Sequence, residues 1–470
     1  MLSSRRATPA RLISLAAIIL SCVAVAAPRA ALAQPHAAAP FIDTGSVTFV
    51  GSQLAGNIDP AENESEFGAT VIRNIDENLV RLAGSSPTSF EPALATSWSH
   101  NADQSVWVFH LRHGVRFHSG HEMTATDVRY SLGRSVAANL AGAYMLGRFL
   151  PHAFQQIKIL DKYTVEFDLG RPQPFFLAGV AQDYNALILD AQTLKAHATK
   201  SDPWAHTWAT QHDAGSGPYE ISSWVASQQI VLTRFPGYWG GWSGRHFSKV
   251  VLRLVADSTT RRELLERGQA DVTYDLTPQD YDALKSNPKV KVIAPYATEI
   301  RYITMTEAGP LASPLARQAL SYAFPYDAVI NGIFRGYAKR SYGCLASTLL
   351  GFDPHVFKYQ TNLTKARALL RQAGVKPGTT LTYTYADPDG PPGLLLQAQL
   401  AQLGITLKLQ HLDSATFYNV LYGNEKASQR PNLLAYGWWP DYNDPYDECN
   451  TLLASNQTPQ DGGNNVGVYH

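Results

Sequence analysis

The sequence predicts an α/β protein of at least two lobes, and three observations carry that prediction. The chain has 470 residues, which at roughly 100–200 residues per domain suggests two or three domains. Runs with two-residue alternation are interleaved with capped runs at helical spacing. Towards the C-terminus, strand, helix and strand follow within about 30 residues, the length of a βαβ unit. The composition is that of a globular chain, 45% hydrophobic and 17% charged, which argues against disorder over most of the length. Nine Trp and 23 Tyr stand against 4 Met. Large rings with a polar handle suit cores and ligand clefts alike.

Residues 1–33 read as an export signal: Arg5, Arg6 and Arg11 are basic, Leu12 to Ala27 is an apolar run, and Ala31-Leu32-Ala33 fits the small-residue cleavage pattern. A membrane anchor is the alternative, but the apolar run is short and no second one follows. Ile19-Leu20-Ser21-Cys22 loosely resembles a lipoprotein cleavage box, which would leave Cys22 lipidated; cleavage after Ala33 is preferred. Removing Arg5, Arg6, Arg11 and Arg29 takes 39 basic residues to 35 against 39 acidic ones, a charge near −4. With no basic run, nucleic acid is not an expected partner. Cys344 and Cys449 either pair in an oxidising compartment or stay as buried thiols.

Residues 34–42 form a loose Ala- and Pro-rich leader, and alternation from Ser46 to Val50 starts the folded part with a strand. Val106 to Leu111 is a half-buried strand with Trp107, Phe109 and Leu111 on one face. Thr124 caps a helix, with Asp127 three residues on and Val128, Leu132 and Val136 at helical spacing. A helix from Thr259 to Arg267 ends at Gly268, and Ser313 with Pro314 starts another. A further helix stops at Gly374. Leu381, Tyr383 and Tyr385 then alternate as a strand, Gly393 to Leu403 is helical, and Ile405, Leu407 and Leu409 form the second strand. No internal repeat is found.

Several blocks stand out along this frame: Ile58-Asp59-Pro60-Ala61, Asn74 to Arg81, Glu91 to Trp98, Phe109 to Gly120, Thr124 to Val128, Gly215 to Tyr219, Tyr238-Trp239 and Arg317 to Leu320. In their types and order they resemble the bacterial extracellular solute-binding family that serves peptide and nickel ABC importers, the oligopeptide- and dipeptide-binding proteins. The resemblance implies a two-lobe periplasmic-binding-protein fold, hinged, with an inserted subdomain in lobe one and closing on ligand. On this chain it implies lobe one at 43–74 and 206–298, the insert at 75–205 and lobe two at 299–470, with the hinge crossing near Arg301-Tyr302-Ile303. Relatives usually continue beyond the aromatic–proline block, so lobe two is expected to be truncated at its C-terminus. The function implied is that of a periplasmic, monomeric carrier, not an enzyme, without cofactor or metal. It captures a short peptide and hands it to an ABC permease in the inner membrane. Nickel chelates, opines, glutathione and sugars are other solutes in that class. A secreted hydrolase is the reading from a different class, and no nucleophile elbow or His-Glu-x-x-His motif supports it.

The resemblance places the ligand site at Gly437 to Pro445. In peptide-binding relatives the aspartate of the corresponding motif pairs with the ligand's α-amino group, a role that passes here to Asp441. An ammonium group stripped of water needs an opposing carboxylate. Trp438, Trp439 and Tyr442 are expected to wall the pocket, and the backbone around Ala435, Tyr436 and Gly437 to pair with an extended peptide. Read from the residues alone, Asp441 between two prolines also suits a loop held through backbone amides, and the tryptophans also suit a core. No cation for a ligand carboxylate is identified: Arg335, Lys339 and Arg340 lie in a suitable lobe-two stretch but read better as a solvated face. His118 and His121 have the spacing of a metal pair with no further ligand nearby. Gly215-Ser216-Gly217 lacks a following Gly-Lys-Ser/Thr and reads as a tight backbone turn.

Overall fold

Alternation and capping together build three four-stranded sheets, each with its own apolar core. The computed structural model describes residues 41–469 apart from Glu64, Ser85, Pro87, Ala141, Phe357, Lys358, Asn443 and Gly462. The export signal and Cys22 lie outside the described residues.

The first core is built on phenylalanines. Ala95–His100, Val106–Leu111, Thr164–Asp168 and Ile157–Asp161 pair in that spatial order, all antiparallel. In Val106–Leu111 the alternation holds: Trp107, Phe109 and Leu111 are buried and His110 is exposed. Phe109 meets Phe167 edge-on at 5.3 Å, the geometry a ring quadrupole favours. Helix Ala125–Ala137 adds Val128 and Leu132 to this core. It starts where the sequence marks it, because the Asp127 carboxylate accepts the Thr124 backbone N–H at 2.8 Å in a capping box.

The second sheet runs Tyr219–Val225, Gln229–Arg234, Lys249–Leu254 and Ser46–Gly51, the last pair parallel. Helix Glu66–Ile75 closes its core with Val71, Ile72 and Ile75 against Ile230 and Leu232. Gly215 and Gly217 cross the end of that helix. A Cβ at Gly215 would lie 1.9 Å from the Ile75 carbonyl oxygen, and one at Gly217 2.6 Å from the Ile75 carbonyl carbon. Only glycine allows this backbone approach.

The third sheet has the order Ile300–Met305, Leu433–Trp438, Thr380–Tyr385 and Thr406–His411. The first pair is antiparallel and the other two are parallel. Thr380–Tyr385, helix Gly390–Ala401 and Thr406–His411 are the βαβ unit expected from the sequence. Helix Leu363–Gln372 stops ahead of Gly374, whose φ of +74° is the left-handed conformation that ends helices. Leu433–Trp438 is apolar along its length because both sheet faces are covered. Leu433 and Ala435 face Tyr383 and Leu396, while Leu434 and Tyr436 face Phe417 and Leu421. Cys344 and Cys449 form a disulfide with their Cα atoms 5.7 Å apart. Of the two sequence readings, the paired one holds.

Candidate functional site

The loop that leaves Leu433–Trp438 is shaped by its own carboxylates. Asp444 caps helix Pro445–Leu453, accepting the Tyr446 N–H at 2.8 Å, with proline at the first helical position. Asp447, fully buried, accepts the Asp441 N–H at 2.6 Å. Asp444 and Asp447 therefore both take loop-holding roles of the kind the sequence allowed for Asp441. The Asp441 carboxylate is buried and its Oδ1 accepts the Tyr144 hydroxyl at 2.8 Å, across a sequence separation of 297 residues.

Tyr144 belongs to helix Ala143–Gly147, and Arg148 caps its C-terminal end. Arg148 Nη1 donates to the Tyr442 hydroxyl and to Asp447 Oδ1, both at 3.1 Å. The Tyr442 ring enters the phenylalanine core, 5.8 Å from Phe149, and Tyr446 stacks on Phe175 at 5.6 Å. Burial opposes the charge on Arg148, but Tyr442, Asp447 and Asp441 outweigh it and hold the guanidinium protonated. Burial and the nearby Asp441 push the Asp447 carboxyl well above the usual range, against the pull of Arg148. The Asp441 carboxylate and the Tyr144 hydroxyl oxygen are the acceptors an ammonium needs in a partly dry cleft, while Arg148 is occupied with Tyr442 and Asp447.

The other predicted site residues separate. Trp438 is buried with Ile300, Leu349 and Leu452, and Tyr436 packs beside Tyr302 with ring centroids 4.6 Å apart. Tyr442 is buried in the phenylalanine core. All three are walls of cores rather than open pocket faces, because strand alternation turns 436 and 438 inward together. Trp439 is 47% exposed. Gly437 lies against the Glu299–Arg301 ion pair, where a Cβ would come within 2.5 Å of Glu299 Oε1. Leu433 to Ala435 are already paired on both edges, and the Thr380–Tyr385 register stops at Ala435. Any added strand is limited to the backbone beyond it.

A chamber of about 660 Å³ opens beside Gly437, within the roughly 300–1,000 Å³ of ligand pockets. Glu299, Arg301 and Asp389 are among the residues that line it, with Arg301 bidentate to Asp389 at 3.0 and 2.7 Å and bonded to Glu299 at 2.6 Å. Residues 338–343 line it as well. Of the three cations read as a solvated face, Arg335 pairs with Asp282 at 2.5 Å, and Lys339 and Arg340 line the chamber. Sequence reasoning missed Tyr144 and Arg148 altogether, since nothing local distinguishes them.

The histidines are accounted for within the fold. His118 spans the Asp213 carboxylate (2.8 Å) and the Gly217 carbonyl (3.0 Å), so both ring nitrogens donate. Burial disfavours its charge, but Asp213 raises its pKa. His121 bonds a different carboxylate, Asp190, at 2.8 Å. Among the described residues no helix is long and apolar enough to cross a membrane.

Comparison with known proteins bears on the whole chain. The family model for bacterial extracellular solute-binding proteins, family 5 Middle, matches residues 89–460. A probable D,D-dipeptide-binding periplasmic protein of Escherichia coli (strain K12) is 31% identical over 408 residues, spanning 85% of this chain and 76% of that one. The dipeptide-binding protein of the same strain is 26% identical over 390 residues, 78% of this chain and 71% of its own. A periplasmic binding protein of Helicobacter pylori, solved in complex with the peptide STSA, superposes with a TM-score of 0.78 at 25% identity. That match covers 90% of this chain and 84% of the other. The three sheets are accordingly those of a two-lobe α/β binding-protein fold.

Proposed function

The chain belongs to the bacterial extracellular solute-binding proteins of family 5, and from that premise we propose that it is the substrate-binding component of an ABC importer. It captures a short peptide between two closing lobes and delivers it to a membrane permease. The peptide- and dipeptide-binding proteins among its relatives support the ligand class. The observation that carries the reading is the Asp441 carboxylate, buried at the seam and facing Tyr144 from the other side. An anion there meets a ligand ammonium only when the seam is closed, so the ligand favours the closed state by its differential contacts.

The boundaries that fit this reading are lobe one at 43–74 and 206–298, its insert at 75–205 and lobe two at 299–470. Gly437, Trp439 and Asp441 present the ligand-facing loop, with Tyr442 as the residue that plugs the seam. The protein acts as a monomer in the periplasm, exported by residues 1–33, without catalysing a reaction. The Cys344–Cys449 disulfide supports an oxidising compartment.

Calorimetric titration with free and N-acetylated di- to pentapeptides tests the proposal. The Asp441→Asn variant should weaken a free-amine peptide about tenfold or more and its N-acetyl form much less. Equal losses for the two forms would remove the amino clamp. No binding of any peptide would remove the peptide carrier.

A further inference from the structure

Beyond the π-helical turn Ala328–Ile333, residues 337–343 line the chamber one after another without helix or strand. Lys339, Ser341 and Gly343 are exposed as well as lining it, so this stretch is a wall between the chamber and solvent. Among the described residues no backbone hydrogen bond joins 338–343 to another segment. Ring contacts hold the wall inward: Lys339 Nζ lies 3.6 Å from the centroid of Tyr296, and Arg340 Cζ 3.9 Å from that of Tyr326. Leu433 to Ala435, which also reach the chamber, are paired on both edges. A wall with so few backbone bonds opens at a lower free energy than the sheet.

The two ends of the wall are anchored differently. At 344–346 the anchor is permanent: Cys344 is disulfide-bonded to Cys449, and Glu448 Oε2 accepts the Ala346 N–H at 3.0 Å. At 335–337 it is ionic and partly exposed. Asp282, on helix Pro278–Leu284, accepts from Arg335 Nε at 2.5 Å and from the Tyr337 hydroxyl at 3.1 Å. The Arg335 side chain is 49% exposed and that of Asp282 29%. Lys285 bonds Asp282 at 3.0 Å and lies 4.3 Å from the Tyr337 ring centroid. Arg335, with Lys285, holds the Asp282 carboxyl down at about 2, so salt rather than pH weakens this anchor. Arg335 itself has a φ of +51°, a conformation that favours glycine, so breaking its bond to Asp282 relieves backbone strain. Gly343, with a φ of +141°, supplies a pivot beside the permanent end.

We propose that residues 335–343 are a strap over the chamber, fixed at the Cys344–Cys449 end and latched to Asp282 at the other, and that ligand passes when the latch opens. The strap rests on the carrier reading for the identity of its ligand and adds the route by which that ligand enters and leaves. One route serves both directions, so the latch sets the rates of capture and release together and leaves affinity nearly unchanged.

The test uses the full chain, hydrogen exchange without ligand, and stopped-flow binding of the dipeptide Ala-Phe. Asp282→Ala should raise exchange across 336–343 about two- to fivefold, the scale of an exposed ion pair, and leave Leu433–Trp438 unchanged. It should speed both association and release of Ala-Phe by a similar factor, with the dissociation constant within about twofold. Raising salt from about 0.05 to 0.5 M should speed exchange across 336–343 in the wild type and not in the variant. Arg335→Gln, which keeps the Tyr337 bond, should give a smaller effect in the same direction and serves if Asp282→Ala does not fold. Unchanged exchange across 336–343 overturns the latch. Faster exchange with unchanged binding rates overturns the strap as the ligand's route, and faster release alone overturns it by making Asp282 a group that stabilises the bound state. Latch-dependent exchange in a protein that binds no di- to pentapeptide removes the peptide reading and leaves the strap, with another solute as its cargo.

Discussion

Arg134 and Arg148 sit on neighbouring helices, and each reaches a carboxylate distant in sequence, yet the two pairs are built differently. Arg134 meets both oxygens of Asp59 at 2.6 Å and gives its Nε–H to the Trp204 carbonyl at 2.7 Å; its side chain is 1% exposed and that of Asp59 is fully buried. His206 adds a third bond to Asp59 at 2.8 Å. Burial works against the Asp59 charge, but Arg134 and His206 hold its carboxyl below the usual range. Arg148 shares one nitrogen at 3.1 Å between the Tyr442 hydroxyl and Asp447, and its side chain is 18% exposed. Asp447 is pushed up rather than down. Inside one core the packing fixes both partners, so a fork geometry can be saturated. Arg148, more exposed and held through one shared nitrogen, makes the looser pair.

Replacing Arg134 with methionine leaves Asp59 buried without its guanidinium, so Arg134→Met should cost about 3–5 kcal/mol of unfolding free energy. Denaturant titration measures it. A loss below about 1 kcal/mol, the level of an exposed pair, would make the buried pair no different from the seam.

How much of this was visible in the sequence follows from how local each feature is. Thr124 with Asp127, Ser313 with Pro314, and Gly374 mark helix ends because capping is decided within a few residues. The βαβ unit was legible because each strand keeps its own alternation. Trp438 and Trp439 were not separable: Leu433–Trp438 is covered on both faces, so no polar side marks which residues turn inward. Asp441 came from a motif, but its partner Tyr144 is 297 residues away and carries no pattern of its own. Arg335 and Lys339 are exposed, as a solvated face requires; what the sequence does not show is that tyrosine rings from other segments lie beneath Lys339 and Arg340.

A second contrast lies within one helix. Asp447 and Glu448 are adjacent and both fully buried. Asp447 faces Arg148, whereas Glu448 has the Ala346 N–H on Oε2 and no partner on Oε1 among the described residues. Burial, with Asp447 beside it, pushes Glu448 up to about 8 despite the Ala346 N–H. The folded state thus binds this proton more tightly than the unfolded chain, where the group titrates near 4.5. Its contribution to stability is complete below pH 4.5, declines as pH rises and is gone above about 8. A rise from 4.5 to about 8 sets the decline attributable to Glu448 at up to about 5 kcal/mol. Melting curves across that window should fall less steeply for Glu448→Gln than for the wild type. Parallel curves would mean that Glu448 is already ionised in the fold, and that a carboxylate on this helix needs no cation.

The smallest expected effect on stability belongs to Arg148, and it tests the seam directly. The Arg148 side chain is 18% exposed where that of Arg134 is 1% exposed, so water can take its place beside Asp447. Asp447 is also driven towards its neutral form, which reduces what the pair contributes when closed. Arg148→Gln should therefore change the unfolding free energy by less than about 1 kcal/mol. The ligand-free variant should nevertheless have a larger radius of gyration in solution scattering, because one of the few polar ties across the seam is gone. A cost equal to that of Arg134→Met would place Arg148 in a permanent core, with the Asp441 loop locked beneath it. An unchanged radius with an unchanged stability would leave Tyr144 and the stacked Phe175–Tyr446 pair as the contacts that hold the seam.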